Sequence, residues 1–112
     1  MSRKGYATER VCNMILESVI LDVKAGEEKA FELAFAEAQE IVASMPGYCA
    51  HDLLRCVEER SRYLLQIRWT NLEAHTEGFR GSPEYARWKE LLHHFYEIFP
   101  TVEHYRSVLH GS

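Results

Sequence analysis

Ten residues, Met14 to Val23, carry apolar side chains on both parities of an extended chain. Ile15, Val19, Leu21 and Val23 fall on one side, and Met14, Leu16 and Ile20 on the other, with Glu17, Ser18 and Asp22 interrupting. A strand with that pattern belongs to a sheet covered on both faces. This requirement constrains the fold more than any other feature, because a chain of 112 residues builds one core and no second domain.

The cover for one face is visible. Glu27 to Ser44 has Phe31, Ala34, Phe35, Ala38, Ile41, Val42 and Met45 at three- and four-residue steps, the stripe of an amphipathic helix. Glu28, Glu32, Gln39 and Glu40 lie off that stripe and read as a solvated face. Met45-Pro46-Gly47 stops the helix, since proline cannot continue it and glycine turns the chain. Tyr48 to Val57 then alternates as a second strand. A short polar link, Glu58 to Ser61, predicts an antiparallel hairpin with the strand from Arg62 to Trp69, whose Tyr63, Leu65, Ile67 and Trp69 share one face.

After Trp69 the pattern changes period. Thr70-Asn-Leu-Glu73 fits a capping box, so a short helix is expected to begin at Thr70 and to break at Gly78 and Gly81. Ser82-Pro83-Glu84 starts another, with serine as N-cap, proline at the first helical position and an acid at the positive end of the dipole. Tyr85, Trp88, Leu91, Leu92 and Phe95 form its aromatic stripe, which suits packing on a sheet or partial exposure to a ligand cavity. Val102 to Leu109 is the last strand. The order β-α-β-β-α-β is the ferredoxin-like split βαβ, an α+β fold with a four-stranded antiparallel sheet. Its two helices cover one face. A second copy packed sheet to sheet would cover the other, giving a homodimer.

Composition narrows the function classes. The net charge is -4 and no basic stripe exists, which argues against nucleic acid as a partner. No apolar run approaches the ~20 residues of a membrane span. Residues 1–13 show no hydrophobic segment behind Arg3 and Lys4 and read as a loose leader, with residues 14–112 as the single domain and a cytoplasmic location expected. Cys12, Cys49 and Cys56 form no CxxC and read as free thiols. Cys49 and Cys56 on one strand would stand roughly 23 Å apart, too far to pair. His93 and His94 point about 100° apart on a helix and do not chelate in the i, i+4 manner. There is no HExxH, GxGxxG, GxxxxGK or GxSxG, so neither a metal nor a nucleotide cofactor is expected.

The element order, together with Met45-Pro46-Gly47-Tyr48, the strand from Tyr63 to its terminal Trp69, Ala74-His75, and Arg80-Gly-Ser82-Pro-Glu-Tyr85, resembles the antibiotic biosynthesis monooxygenase (ABM) family of dimeric α+β barrels. The resemblance spans about Met14 to Leu109. It implies a small homodimer with a pocket between sheet and helices in each subunit. It further implies oxidation of small aromatic or quinol-like molecules by O2 with no metal and no flavin. By family position Trp69 and His75 line that pocket, with His75 as the base that takes a phenolic proton. Against this stand the plainer readings of His75 as a partly exposed helix histidine and of Trp69 as core. His51, Phe79, Tyr85 and Trp88 complete the expected substrate-binding set. A haem-degrading branch of the family depends on an Asn, a Trp and an axial His. Here Phe79 and Lys89 stand at the latter two positions and the first strand offers Glu17, Ser18 and Val19, so haem is not expected. The alternatives on the same fold are a non-catalytic small-molecule-binding or stress-response protein, or an isomerase.

Overall fold

A computed structural model describes residues 14–111. The leader proposed for residues 1–13, and Cys12 within it, lie outside the described residues. Four strands, β1 (Ile15–Asp22), β2 (Tyr48–Arg55), β3 (Arg62–Trp69) and β4 (Val102–Arg106), form one antiparallel sheet in the order β2-β3-β1-β4. Helices α1 (Glu28–Ala43) and α2 (Pro83–Leu92) complete the ferredoxin-like α+β architecture, and a π-helical turn (Ala74–Phe79) joins β3 to α2.

The alternation read in β1 and β3 is what the sheet uses. Ile15, Glu17, Val19 and Leu21 of β1 and Tyr63, Leu65, Ile67 and Trp69 of β3 are buried on the helix-covered face. Phe31, Phe35, Ala38 and Val42 of α1 and Trp88 and Leu92 of α2 close over them. Fully burying a side chain such as Phe31 contributes about 1.5–3 kcal/mol. On the opposite face Ile20, Leu54 and Tyr105 remain about half exposed. That face is the uncovered one anticipated from the pattern of Met14 to Val23.

Gly47 makes the turn from α1 to β2 with φ +86°, and a Cβ built there would stand 2.5 Å from the Cβ of Ala74. The turn therefore packs against the π-helical segment. It is also tied to the end of β3, since the Thr70 amide donates to the Gly47 carbonyl at 2.8 Å.

Several local expectations are corrected. The helix after β3 is capped by Asn71, whose side-chain oxygen accepts from the Ala74 amide at 2.8 Å. Thr70 is still held to Gly47 by its backbone, so the cap moves one residue along. Gly78 lies inside the π-helical turn, and the chain breaks only at Gly81, where a Cβ would meet the Glu77 carbonyl oxygen at 2.5 Å. A bulge between Tyr48 and Ala50 shifts the β2 register, so simple alternation fails there. Strand β2 ends at Arg55 and β4 at Arg106, leaving Val108 and Leu109 exposed. Glu28 is buried and accepts hydrogen bonds from the Ser61 hydroxyl and the Gly26 amide. Ser82 caps α2 as read: its hydroxyl accepts from the Tyr85 amide at 3.2 Å, with Pro83 following.

Candidate functional site

The site is built from a carboxylate that a strand pattern carries inward. Glu17 occupies a core position of β1, between Ile15 and Val19. In the sheet register it stands opposite Ile67 of β3 on one side and His104 of β4 on the other. Paired residues of adjacent strands point to the same face. Glu17 and His104 thus both face the helices.

The π-helical turn supplies the third member. The Arg80 amide donates to the His75 carbonyl across five residues at 3.0 Å, the wide hydrogen bond of a π-turn. This turn carries both His75 and Phe79 into the interior, where each is about 2% exposed. The His75 ring stacks on Trp69 with centroids 5.6 Å apart and planes 25° from parallel. Its Nδ1 lies 2.8 Å from His104 Nε2, and its Nε2 lies 3.4 Å from Glu17 Oε2. Glu17 Oε1 accepts from the indole Nε1–H of Trp69 at 2.9 Å.

Burial governs the charge state of this group. It pushes the Glu17 carboxyl up to about 7, against the lowering effects of the Trp69 donor and the Arg80 charge. It pushes His75 down to about 3, assisted by the positive charge of Arg80 and by His104. His104 is lowered as well, first by burial and then by Arg80. His75 is therefore neutral at pH 7, and its contact with Glu17 is no ion pair. The three side chains form a row, not a cage. Among the described residues no group of three His, Cys, Asp or Glu side chains is arranged to hold a metal ion.

Above the row lies a cavity of about 310 Å³. Its floor is Glu17, Val19, Leu21 and Leu65; its walls include His75, Phe79, Arg80, Tyr85 and Trp88; His93, Tyr96, Phe99 and Pro100 line its partly open mouth. The volume sits at the lower end of ligand pockets. It is about twice the ~150 Å³ apolar cavity that takes up one benzene.

The residues singled out from sequence are distributed unevenly. His75, Phe79, Tyr85 and Trp88 meet at the cavity. Trp69 has no exposed surface and is not among the lining residues. It stands behind Glu17 and His75, wedged by Phe79 at 5.9 Å and by the edge of Tyr48 at 6.4 Å. His51 is apart from the site at the β2 edge. Its Nε2 bonds Gln39 Oε1 at 2.8 Å, its Nδ1 faces the Tyr48 hydroxyl, and its ring meets Phe35. Sequence reasoning passed over Glu17, His104 and Arg80. The available signal for Glu17 was its parity with Ile15 and Val19, a lone acid on a buried strand face.

A split βαβ sheet with a cavity between its helix-covered face and α2 defines a small α+β protein of the ferredoxin-like class. The chain belongs to the antibiotic biosynthesis monooxygenase (ABM) family, whose model it matches over residues 14–91. It is 53% identical over 95 residues to the uncharacterised protein YczJ of Bacillus subtilis strain 168, a match covering 85% of this chain and all of that protein. Among solved structures it resembles a Bordetella bronchiseptica protein assigned to the same family, with TM-score 0.83, 30% identity, and coverage of 87% of this chain and 99% of the other. It also shares its fold with SnoaB of Streptomyces nogalater, a cofactor-independent oxygenase, with TM-score 0.70, 22% identity, and coverage of 89% and 96%.

Proposed function

We propose that this protein is a cofactor-independent monooxygenase that oxidises a small aromatic or quinol-like molecule with O2. The observation that carries the reading is a carboxyl held near neutrality, Glu17, at the floor of an aromatic-walled cavity with the neutral His75 beside it. Family membership and the fold shared with a cofactor-independent oxygenase support it. The cavity volume favours substrates of one or two rings.

In this reading the substrate supplies the electrons. Glu17, as carboxylate, takes the phenolic proton, and the phenolate adds O2 at a ring carbon. Glu17 then returns the proton as the O–O bond breaks. The carbon that took up O2 gives up its C–H as the O–O bond breaks, so one oxygen stays as a carbonyl and the other leaves as water carrying the phenolic proton and that ring hydrogen. An acid with a pKa near 7 suits both halves of that exchange. His75, pushed to about 3, is a poor proton acceptor on its own. Its part is to orient Glu17 and contribute to the wall. Phe79, Tyr85 and Trp88 contact the ring, and Trp69 acts from behind the wall through its hydrogen bond to Glu17.

The working unit in this proposal is a cytoplasmic homodimer, which would cover the face where Ile20, Leu54 and Tyr105 are exposed. Among the described residues no helix is long and apolar enough to cross a membrane.

The test is oxygen consumption over a panel of one- and two-ring quinols and phenols. Glu17→Gln is expected to lower turnover by about 10²–10⁴-fold with a much smaller change in KM. Wild-type turnover in Glu17→Gln overturns the assignment of the base. Binding by the panel without any oxygen uptake favours a non-catalytic binding protein.

A further inference from the structure

The row does not end inside the cavity. Glu17 is buried, His75 is buried, and His104, on the outermost strand β4, is only half-buried. The Nε2 of His104 faces inward to His75 Nδ1 at 2.8 Å, which leaves its Nδ1 as the nitrogen on the far side of the ring. From the geometry we infer that Glu17, His75 and His104 form a proton-exchange row, with His104 as the solvent port. Through it Glu17 is set as a carboxylate from the side away from the cavity.

The exchange balances with one proton and no electrons. In the acid form the Glu17 O–H faces His75 Nε2. His75 carries its hydrogen on Nδ1 and donates to His104 Nε2, and His104 carries its hydrogen on Nδ1. Deprotonation moves the Glu17 proton to His75 Nε2, the His75 Nδ1 proton to His104 Nε2, and the His104 Nδ1 proton to water. In the base form the carboxylate accepts from both His75 Nε2–H and Trp69 Nε1–H. Each step uses one contact of the row. The longest, 3.4 Å between His75 Nε2 and Glu17 Oε2, is a contact and not yet a hydrogen bond, so transfer across it requires the two groups to approach.

The surroundings favour transfer by change of tautomer over formation of an imidazolium. Arg80 adds positive charge beside all three groups, and burial disfavours a cationic His75. The other titratable groups lining the cavity are His93, Tyr85 and Tyr96. Tyr96 is pushed well above its ordinary range by burial and stays protonated. Burial lowers His93, so it adds no cation to compete with Arg80 at neutral pH.

The usefulness of the row rests on the function proposed above. A substrate seated over Glu17 would cut that carboxyl off from water, so the base must be set from behind. The test needs no substrate. In protein labelled with ¹³C at glutamate side chains and ¹⁵N at histidine rings, NMR titration follows all three groups together. As Glu17 ionises, the hydrogen on His75 and that on His104 are each expected to move from Nδ1 to Nε2, with one common midpoint and no imidazolium signal. Glu17→Gln should freeze both rings in a single tautomer across the same pH range. His104→Phe should abolish the change in His75. A His75 that keeps one tautomer while Glu17 titrates overturns the row, as does one that becomes a cation. Persistence of the switch in Glu17→Gln overturns it too, and an unchanged His75 switch in His104→Phe removes His104 as the port. A coupled switch in a protein that oxidises no quinol would uphold the row and count against the monooxygenase reading alone.

Discussion

The indole of Trp69 donates its only N–H to Glu17 Oε1 at 2.9 Å, joining the end of β3 to the middle of β1 across 52 residues of sequence. The indole is fully enclosed and the carboxyl nearly so, and the carboxyl's other contact, to His75 Nε2, is longer at 3.4 Å. Trp69, expected from its family position as a pocket wall, stands instead behind the cavity as a donor to the carboxyl, partly offsetting the effect of burial on it.

Removing that donor should be felt more at high pH than at low pH. Trp69→Phe keeps a ring in the core but takes the hydrogen bond from an ionised carboxylate, worth about 1.5–3 kcal/mol. Urea unfolding should show the larger loss at pH 8, where Glu17 is charged, and a smaller loss at pH 5. Equal losses would mean that the bond does not favour the charged form.

Glu17 itself should make the wild type less stable as pH rises. Its folded pKa, about 7, exceeds the ordinary 4.5, so the native state holds a proton that the unfolded chain releases between those values. Stability from this group is complete below pH 4.5 and is lost as pH climbs through 7, by about 3 kcal/mol in total. His75 acts in the opposite sense: held at about 3, it destabilises the fold as pH falls below 6.5. The two slopes oppose each other between 4.5 and 6.5, so the wild type alone shows little there. Glu17→Gln separates them. Relative to wild type, the variant should gain about 3 kcal/mol between pH 4.5 and pH 8 in denaturant titrations. A pH-independent difference would count against a raised Glu17.

Two glycines with nearly equal backbone angles should respond differently to alanine. Gly26 has φ +88° with open space around it, whereas Gly47 has φ +86° and the Ala74 Cβ in the way. Gly26→Ala should cost about 1–2 kcal/mol, the left-handed backbone penalty alone. Gly47→Ala should cost clearly more, because the helix–strand turn and the π-helical segment must separate. Matching thermal shifts for the two would show that the turn yields without strain.

The open sheet face predicts association. Sedimentation should give about twice the 13.1 kDa chain mass, and Ile20→Glu should move the protein toward the monomer. A wild type that stays monomeric at high concentration would remove the homodimer from the proposed function.

What the chain encodes locally was readable from its residues. The period of Tyr63 to Trp69, the Pro46-Gly47 stop and the Ser82-Pro83 cap each act over a few residues, so they specify strands, a turn and a helix start wherever they occur. The two-sided apolar pattern of Met14 to Val23 likewise placed that segment in a sheet with one face left to cover. The site was legible only in part, in His75, Phe79, Tyr85 and Trp88. Glu17 looked like an interruption of a strand, and His104 carried no signal beyond its place in the last strand. Nothing local says that a carboxylate 52 residues from one partner and a histidine 29 residues from another will meet. Strand register brought Glu17 and His104 side by side, and the π-helical turn lowered His75 between them. Burial then moved their pKa values in opposite directions. Those are consequences of desolvation and of contacts distant in sequence, which exist only once the sheet, the turn and the second helix have closed on one another.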